Sequence, residues 1–249
     1  MKVSIITATY NSEFTISDCV QSINKQSYND IEHIIIDGES FDNTLDIIRG
    51  QPNRVTKIIC ETDNGIYDAM NKGILTANGD IVGILNSDDI YFSDNVITEI
   101  VNLFERNPLL DIVYGNIVYV DKRNLNKIVR VWNSKNYYEL FFENGNVPPH
   151  PSVFVRKIVY QKMGLFNLDL HLAADYEFLL RIFKSSNFNS YFLPKIIVKM
   201  RLGGATNKNI FNIIKGNYEI YLSWKLNNYD FPLLLMPLRI IKRVKQFFK

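Results

Sequence analysis

The chain is expected to be an α/β protein: a mostly parallel sheet with helices on both faces, and a helical tail at its C-terminus. Three observations predict this. Short β-branched apolar runs alternate with stretches whose apolar residues recur at i, i+3, i+4 and i+7. Parallel strands need crossovers, and a helix lying on the sheet is the usual one. Polar and acidic residues also follow four successive runs, as at the ligand-binding edge of an open parallel sheet.

The elements follow in order. Val3 to Ile6 is the first strand, and Ile16, Cys19, Val20 and Ile23 mark one face of a helix. Ile34 to Ile36 is the second strand, Asn43 to Arg49 a short helix and Val55 to Cys60 the third strand. A helix is expected from Gly65 to Ala77, with Ile66, Met70 and Ile74 stacked at i+4 steps. Asn78-Gly79-Asp80 is turn chemistry, and Ile81 to Leu85 is the fourth strand. Ser93 is the expected cap of a helix whose face is Val96, Ile97, Ile100, Val101 and Phe104. Beyond it, Asp111 to Asp121 and Lys127 to Trp132 read as a hairpin, and Ser152 to Arg156 as a short strand. Gly164 is expected to end the helix after that strand. Ala173 to Phe183 reads as a helix, Tyr191 to Met200 as a strand, and the chain from Asn209 on as mostly helical.

With 249 residues and a 47% apolar share, the chain can bury a sizeable core. Its net charge of +2 gives no reason to expect nucleic acid as a partner. Cys19 and Cys60 are too few and too far apart for a disulfide framework or a zinc site, which suits a reducing compartment. The N-terminal residues lack the apolar run of a signal peptide, and no apolar stretch of about 20 residues suggests a spanning helix.

The strand ends carry the chemistry. The first ends in Thr7-Ala8-Thr9-Tyr10-Asn11, the second in Asp37-Gly38-Glu39-Ser40, the third in Glu61-Thr62-Asp63-Asn64-Gly65 and the fourth in Asn86-Ser87-Asp88-Asp89. Any one acid here serves equally well as a helix cap. The set is expected to converge on one crevice, where like charges resist joint ionisation unless a cation sits among them. Mg²⁺ or Mn²⁺ suits carboxylate oxygens and leaves positions open for phosphate. Neither glycine-rich phosphate cradle, Gly-x-Gly-x-x-Gly after the first strand or Gly-x-x-x-x-Gly-Lys-Ser/Thr, occurs. A bound nucleotide diphosphate would therefore be neutralised by metal, with Tyr10 available to stack on the base.

Thr-Ala-Thr-Tyr-Asn, Ile-Ile-Asp-Gly-Glu-Ser, Glu-Thr-Asp-Asn-Gly-Ile-Tyr-Asp, Leu-Asn-Ser-Asp-Asp, His150-Pro151-Ser152 and Ala173-Ala174-Asp175-Tyr176-Glu177 occur in that order. Together they resemble the inverting family 2 glycosyltransferases of GT-A fold, most closely bacterial surface-polysaccharide enzymes of colanic-acid type, over roughly residues 1–205. The resemblance implies a Rossmann-like mixed sheet. Residues 1–107 would form the nucleotide-sugar half, 108–205 the acceptor and base half, and 206–249 the tail.

The resemblance also implies roles. Thr7, Tyr10, Asp37, Asp63, Asn86 and Ser87 would line the nucleotide-sugar pocket. Asn86-Ser87-Asp88 would stand at the family's Asp-x-Asp site, with Asp88 holding Mg²⁺ or Mn²⁺. Asp89 and His150 would contact acceptor or donor sugar, and Asp175 would be the catalytic base. Two departures stand out: Asn86 replaces the first acid of the Asp-x-Asp site, and Ala174 replaces the Glu of the usual Glu-Asp pair. The implied partners are a UDP-sugar donor and a glycan or polyprenyl-diphosphate-linked acceptor.

Near the C-terminus, Ile240, Ile241, Val244, Phe247 and Phe248 share one helical face, and Arg239, Lys242, Arg243, Lys245 and Lys249 lie around the other side. Such a helix suits an anionic membrane surface. The expected location is therefore cytoplasmic, peripheral on the inner face of the cell membrane. A terminal helix packed on the domain with a basic solvated side is the alternative. Tyr137, Tyr138, Phe141 and Phe142 are expected to pack in the core. Rival functions are a sugar-nucleotide nucleotidyltransferase, which needs a glycine-rich basic loop after the first strand, a glycosidase with paired carboxylates, and a non-catalytic sugar-nucleotide-binding module.

Overall fold

A computed structural model describes residues 1–185, 187–203 and 210–247, with the backbone alone at residue 210. The elements are β1 (Val3–Thr9), α1 (Ile16–Asn24), β2 (Ile31–Asp37), α2 (Thr44–Arg49), β3 (Val55–Cys60), α3 (Ile66–Thr76), β4 (Ile81–Ile84), β5 (Ile90–Tyr91) and α4 (Val96–Arg106). The second half adds β6 (Leu110–Val120), β7 (Ile128–Trp132), a 3₁₀ turn (His150–Ser152), β8 (Phe154–Arg156), α5 (Lys157–Met163), α6 (Ala174–Lys184), β9 (Asn189–Arg201), α7 (Ile210–Leu226) and α8 (Leu235–Lys245).

Among the described residues the strands form one mixed sheet in the order β3-β2-β1-β4-β8-β6-β9-β5, with β7 paired to β6. The first four run parallel, as their alternation with helices requires. β4 meets β8 antiparallel, Ile81 opposite Arg156, so a single sheet continues from the first half into the second. The expected hairpin is β6–β7, antiparallel from Ile117 opposite Trp132. Cys19, Ile23, Ile97, Ile100 and Phe104 of α1 and α4 cover one face, beside Val3 and Ile5. Met70 and Ile74 of α3, with α5 and α6, cover the other, beside Ile6 and Ile34. β1 and β2, sealed on both sides, are buried at every position.

The differences from expectation have local causes. β1 runs on to Thr9 and β2 begins at Ile31, because polar residues inside them are satisfied by one another. Ser4 Oγ donates to Glu32 at 2.5 Å, and Thr7 Oγ1 lies 3.0 Å from His33 Nε2. An apolar-run criterion stops at such residues. β5 is two residues long and exists through pairing with β9, Ile90 opposite Lys199 and Tyr91 opposite Val198. It delays the next helix, so Asn95 rather than Ser93 stands at the α4 N-cap, and the Ser93 carbonyl accepts from Gln26 Nε2 at 2.8 Å. Gly164 ends α5, with φ 82°. Phe141 and Phe142 are fully buried and Tyr137 packs beside them, while Tyr138 remains 39% exposed.

The tail is attached through α7, whose Trp224 is buried and donates from Nε1 to Tyr176 OH at 2.9 Å. α8 then docks in an inverted sense. Leu235 is buried at its start, but Ile240, Ile241, Val244 and Phe247 remain exposed. Arg239 lies over the Tyr176 ring, 5.0 Å from its centroid, and Lys242 bonds Asn146. So two of the five basic residues expected to lie around the outer side turn toward the domain. Phe248 and Lys249 lie outside the described residues. Gly145, at φ 70°, makes the docking possible: a Cβ there would stand 3.1 Å from both Arg239 N and Leu238 Cβ. No helix among the described residues is long and apolar enough to cross a membrane.

Candidate active site

The register carries the predicted residues to the carboxyl edge of the parallel strands, Thr9 beside Asp37 and Asp37 beside Cys60. Just past that edge Tyr10 is 58% exposed, its ring edge-on to Phe41 at 6.2 Å between centroids. Asp63 comes in from the β3–α3 loop. A Cβ on Gly38 would lie 2.6 Å from Asp63 Oδ2 and 3.4 Å from the Tyr10 ring, so glycine is what lets these three groups meet. Asp63 Oδ1 accepts from Gly65 N at 2.8 Å, which fixes the loop. Lys72 Nζ, on α3, bonds the Thr62 carbonyl at 2.7 Å and Glu61 at 3.0 Å, so it braces the strand end.

Two expected pocket residues face elsewhere. Thr7 is fully buried, its hydroxyl taken up by His33 and 3.9 Å from Cys19 Sγ. Being two residues short of the strand end, it sits under a helix rather than at the edge. Burial lowers the His33 pKa to about 3, so this ring is neutral. Asp37 is also fully buried, and its carboxylate accepts from Ser40 N at 2.9 Å, Ser40 Oγ at 2.6 Å and Cys60 Sγ at 3.4 Å. It shapes the turn beneath Tyr10.

The Asn86–Asp89 turn follows β4. Ser87 Oγ lies 2.9 Å from Ser12 Oγ, tying the turn to the loop after β1. Asp89 is fully buried; it accepts from Arg201 N at 3.2 Å and Asn86 Nδ2 at 3.3 Å. Burial, then the neighbouring Asp88 charge, pushes its pKa well up. It is therefore an internal strut between the turn and β9, not the sugar contact expected of it. Asn86 Oδ1 is buried without a partner. Arg201, which nothing in the sequence singled out, holds the arrangement together. Its Nε donates to the Asp88 carbonyl at 2.9 Å, its Nη1 to the Lys122 carbonyl at 3.0 Å, and its Nη2 pairs with Asp18.

Asp88 is left half-buried, and burial raises its pKa while its own backbone N–H and Arg201 counteract. The expected convergence of several acids on one cation is not what forms: no three His, Cys, Asp or Glu side chains among the described residues are grouped to hold a metal. Asp37, Asp63 and Asp89 are each met by hydrogen bonds instead. A half-buried carboxylate with no side-chain partner among the described residues still fits a divalent cation as a single protein ligand. The remaining positions would then be filled by diphosphate and water.

Asp175 stands in the first turn of α6, joined to the sheet edge by one bond: Tyr67 OH donates to its Oδ1 at 3.0 Å. Tyr67 lies four residues after Asp63, in the first turn of α3, so the loop that presents one acid leads directly into the helix that bonds the other. Ala174 is fully buried, so the position of the missing Glu faces the core. A carboxylate reaches this helix end from α7 instead: Glu219 Oε2 accepts from Leu172 N at 2.6 Å and Ala173 N at 2.9 Å. His150 packs its ring edge-on to Phe166 at 5.7 Å, and its Nε2 is buried without a partner. Burial lowers its pKa, opposed by the charge of Asp175.

A mixed, mostly parallel sheet with helices on both faces is the architecture of the GT-A glycosyltransferases. The glycosyl transferase family 2 model matches residues 4–161, and the chain belongs to that family. A PGL/p-HBAD biosynthesis glycosyltransferase of Mycobacterium bovis is 28% identical over 208 residues, covering 82% of this chain and 78% of its own. The Escherichia coli protein WfgD, a UDP-Glc:alpha-D-GlcNAc-diphosphoundecaprenol beta-1,3-glucosyltransferase, is 28% identical over 222 residues, 88% of this chain and 84% of its own. Among solved structures, S. aureus TarS 1–349 in complex with UDP has a TM-score of 0.68 at 18% identity, covering 99% of this chain and 72% of that one. Mannosyltransferase PcManGT from Pyrobaculum calidifontis, in complex with GDP-Man and Mn2+, has a TM-score of 0.69 at 16% identity, covering 98% and 69%.

Proposed function

We propose that this family 2 glycosyltransferase moves a hexose or N-acetylhexosamine from a UDP-sugar to a hydroxyl of a glycan or lipid-linked sugar, with inversion, in surface-polysaccharide assembly. One observation carries the reading: Tyr67, in the first turn of α3, bonds Asp175 at 3.0 Å, and the loop leading into that helix presents Asp63 beside Tyr10. In this reading Tyr10 and Asp63 receive the nucleoside, with Asp37 shaping the turn beneath them. Asn86 and Ser87 face ribose and diphosphate, and Asp88 holds Mg²⁺ or Mn²⁺, which would offset charge on the leaving diphosphate. Asp175 takes the proton from the acceptor hydroxyl as it attacks from the face opposite UDP. His150 lies beside the reacting hydroxyl. Much of the rate comes from alignment and from polar groups already in place.

The name of the WfgD relative supports a UDP-sugar donor and a sugar on a diphosphate lipid as acceptor. The exposed apolar side of α8 supports an interfacial helix at an anionic membrane, hence a peripheral location on the inner face. The test is UDP release from UDP-glucose, UDP-galactose and their N-acetyl forms, with and without a lipid-diphosphate sugar acceptor. Acceptor-dependent release from one donor is expected. Release of uridine triphosphate on adding pyrophosphate would instead mark a nucleotidyltransferase, and binding without release a non-catalytic module.

A further inference from the structure

α8 carries an arginine that its own packing does not explain. An amphipathic helix docking on a domain ordinarily turns its apolar side inward. Here Ile240, Ile241, Val244 and Phe247 face outward, and Arg239 faces in. The guanidinium lies over the Tyr176 ring, 5.0 Å from its centroid, next in sequence to Asp175. Arg239 is half-buried; loss of water lowers its pKa, opposed by Tyr176 and then by the charge of Asp175, and it forms no ion pair among the described residues. Taking a cation out of water without pairing it is unfavourable, so such a group is ordinarily met by an anion. His150 Nε2, also sensing the Asp175 charge, is a buried polar atom without a partner among the described residues.

We infer that Arg239 is a phosphate-binding residue for the acceptor, holding the diphosphate that links the acceptor sugar to its lipid while that sugar's hydroxyl reaches Asp175. This rests on the function proposed above and names the acceptor group that α8 recognises. Both sides of the helix then have a use. Arg239 faces inward to the base, and Ile240, Ile241, Val244 and Phe247 offer an outer apolar surface along which a hydrocarbon tail runs. A planar guanidinium suits bidentate contact with phosphate oxygens, and this one lies against the Tyr176 ring. The donor diphosphate is the other phosphate source, and it is separable because UDP carries it without any acceptor.

The test is equilibrium binding of a short-chain alkyl diphosphate and, separately, of UDP with Mn²⁺, to the wild type, Arg239→Gln, Arg239→Lys and the outward-facing control Lys245→Gln. Arg239→Gln should weaken alkyl diphosphate binding about tenfold or more and leave UDP affinity unchanged. Arg239→Lys should retain part of the binding, and Lys245→Gln nearly all of it. Unfolding curves of each variant exclude simple loss of fold. Equal alkyl diphosphate affinity in wild type and Arg239→Gln, or no binding by the wild type, overturns the inference. Weakened UDP binding in Arg239→Gln overturns it in favour of a donor contact. Because binding is measured without turnover, absence of any transferase activity would sink the proposed function and not this site.

Discussion

Replacing Arg201 by Met tests how the Asn86–Asp89 turn is held. The side chain is 6% exposed and makes three contacts that Met cannot: to the carbonyls of Asp88 at 2.9 Å and Lys122 at 3.0 Å, and to the Asp18 carboxylate. Each carbonyl bond to a charged donor contributes about 1.5 kcal/mol, at the low end for such bonds, once exchange with water is counted. Asp18 is 48% exposed, so its pairing is screened and adds at most about 0.5–1 kcal/mol. The sum is a loss of about 3.5–4 kcal/mol, or roughly 7–16 °C in Tm for a chain of this size. The backbone bond from residue 201 to Asp89 survives the substitution, so the strand should remain while the turn loosens. Urea denaturation gives the stability change, and titration with UDP in Mn²⁺ gives the functional one. Stability should fall with its m-value unchanged, and UDP affinity should fall with it. A loss under about 1 kcal/mol together with unchanged UDP affinity would refute the reasoning.

Asp88→Ala should abolish the metal-dependent part of UDP binding, and EDTA should stop transfer by the wild type; full activity in chelator removes the metal assignment. Since burial holds the Asp88 pKa above the usual carboxylate value, metal-dependent UDP affinity should begin to fall, on acidification, at a higher pH than an ordinary carboxylate would give. His33 is held neutral, with its pKa at about 3 against an ordinary value near 6.5. Its contribution to stability is therefore complete above about pH 6.5 and lost as pH falls toward 3. From this group alone, stability at pH 5 should be about 2 kcal/mol below that at pH 8. His33→Gln should flatten the dependence, and an identical slope in both proteins would dismiss it. Ile240→Asp with Val244→Asp should reduce sedimentation with anionic vesicles severalfold while leaving the unfolding transition in place. Unchanged partitioning counts against an interfacial α8.

The sequence was most legible where one residue's position decides its environment. Strand ends follow from apolar runs, so Tyr10, Asp63, Asn86 and Asp88 are found at the sheet edge by counting. Side-chain direction within a buried strand is not written in that pattern. Thr7 and Asp37 are both in the right strands, but one turns under α1 to His33 and the other into the Ser40 turn. Asp89 departs from expectation for the same reason: two adjacent acids look equivalent in sequence, while only the pairing of β5 with β9 decides which is interior. Arg201, Tyr67, Glu219 and Arg239 act across separations too long for a local pattern. Glu219 reaches the backbone ahead of Asp175 from 46 residues away. Arg201 ends a strand that also carries Asn189, Ser190, Lys195 and Lys199, so its type alone does not mark it as interior.

The most direct test is Asp175→Asn, which keeps shape and an acceptor for the Tyr67 hydroxyl while removing the base. Measured side by side, UDP affinity in Mn²⁺ should match the wild type, while turnover with donor and acceptor falls by about a hundredfold or more. Turnover near the wild-type level would contradict the account, because the side chain joined to the donor edge would then not be the group that activates the acceptor.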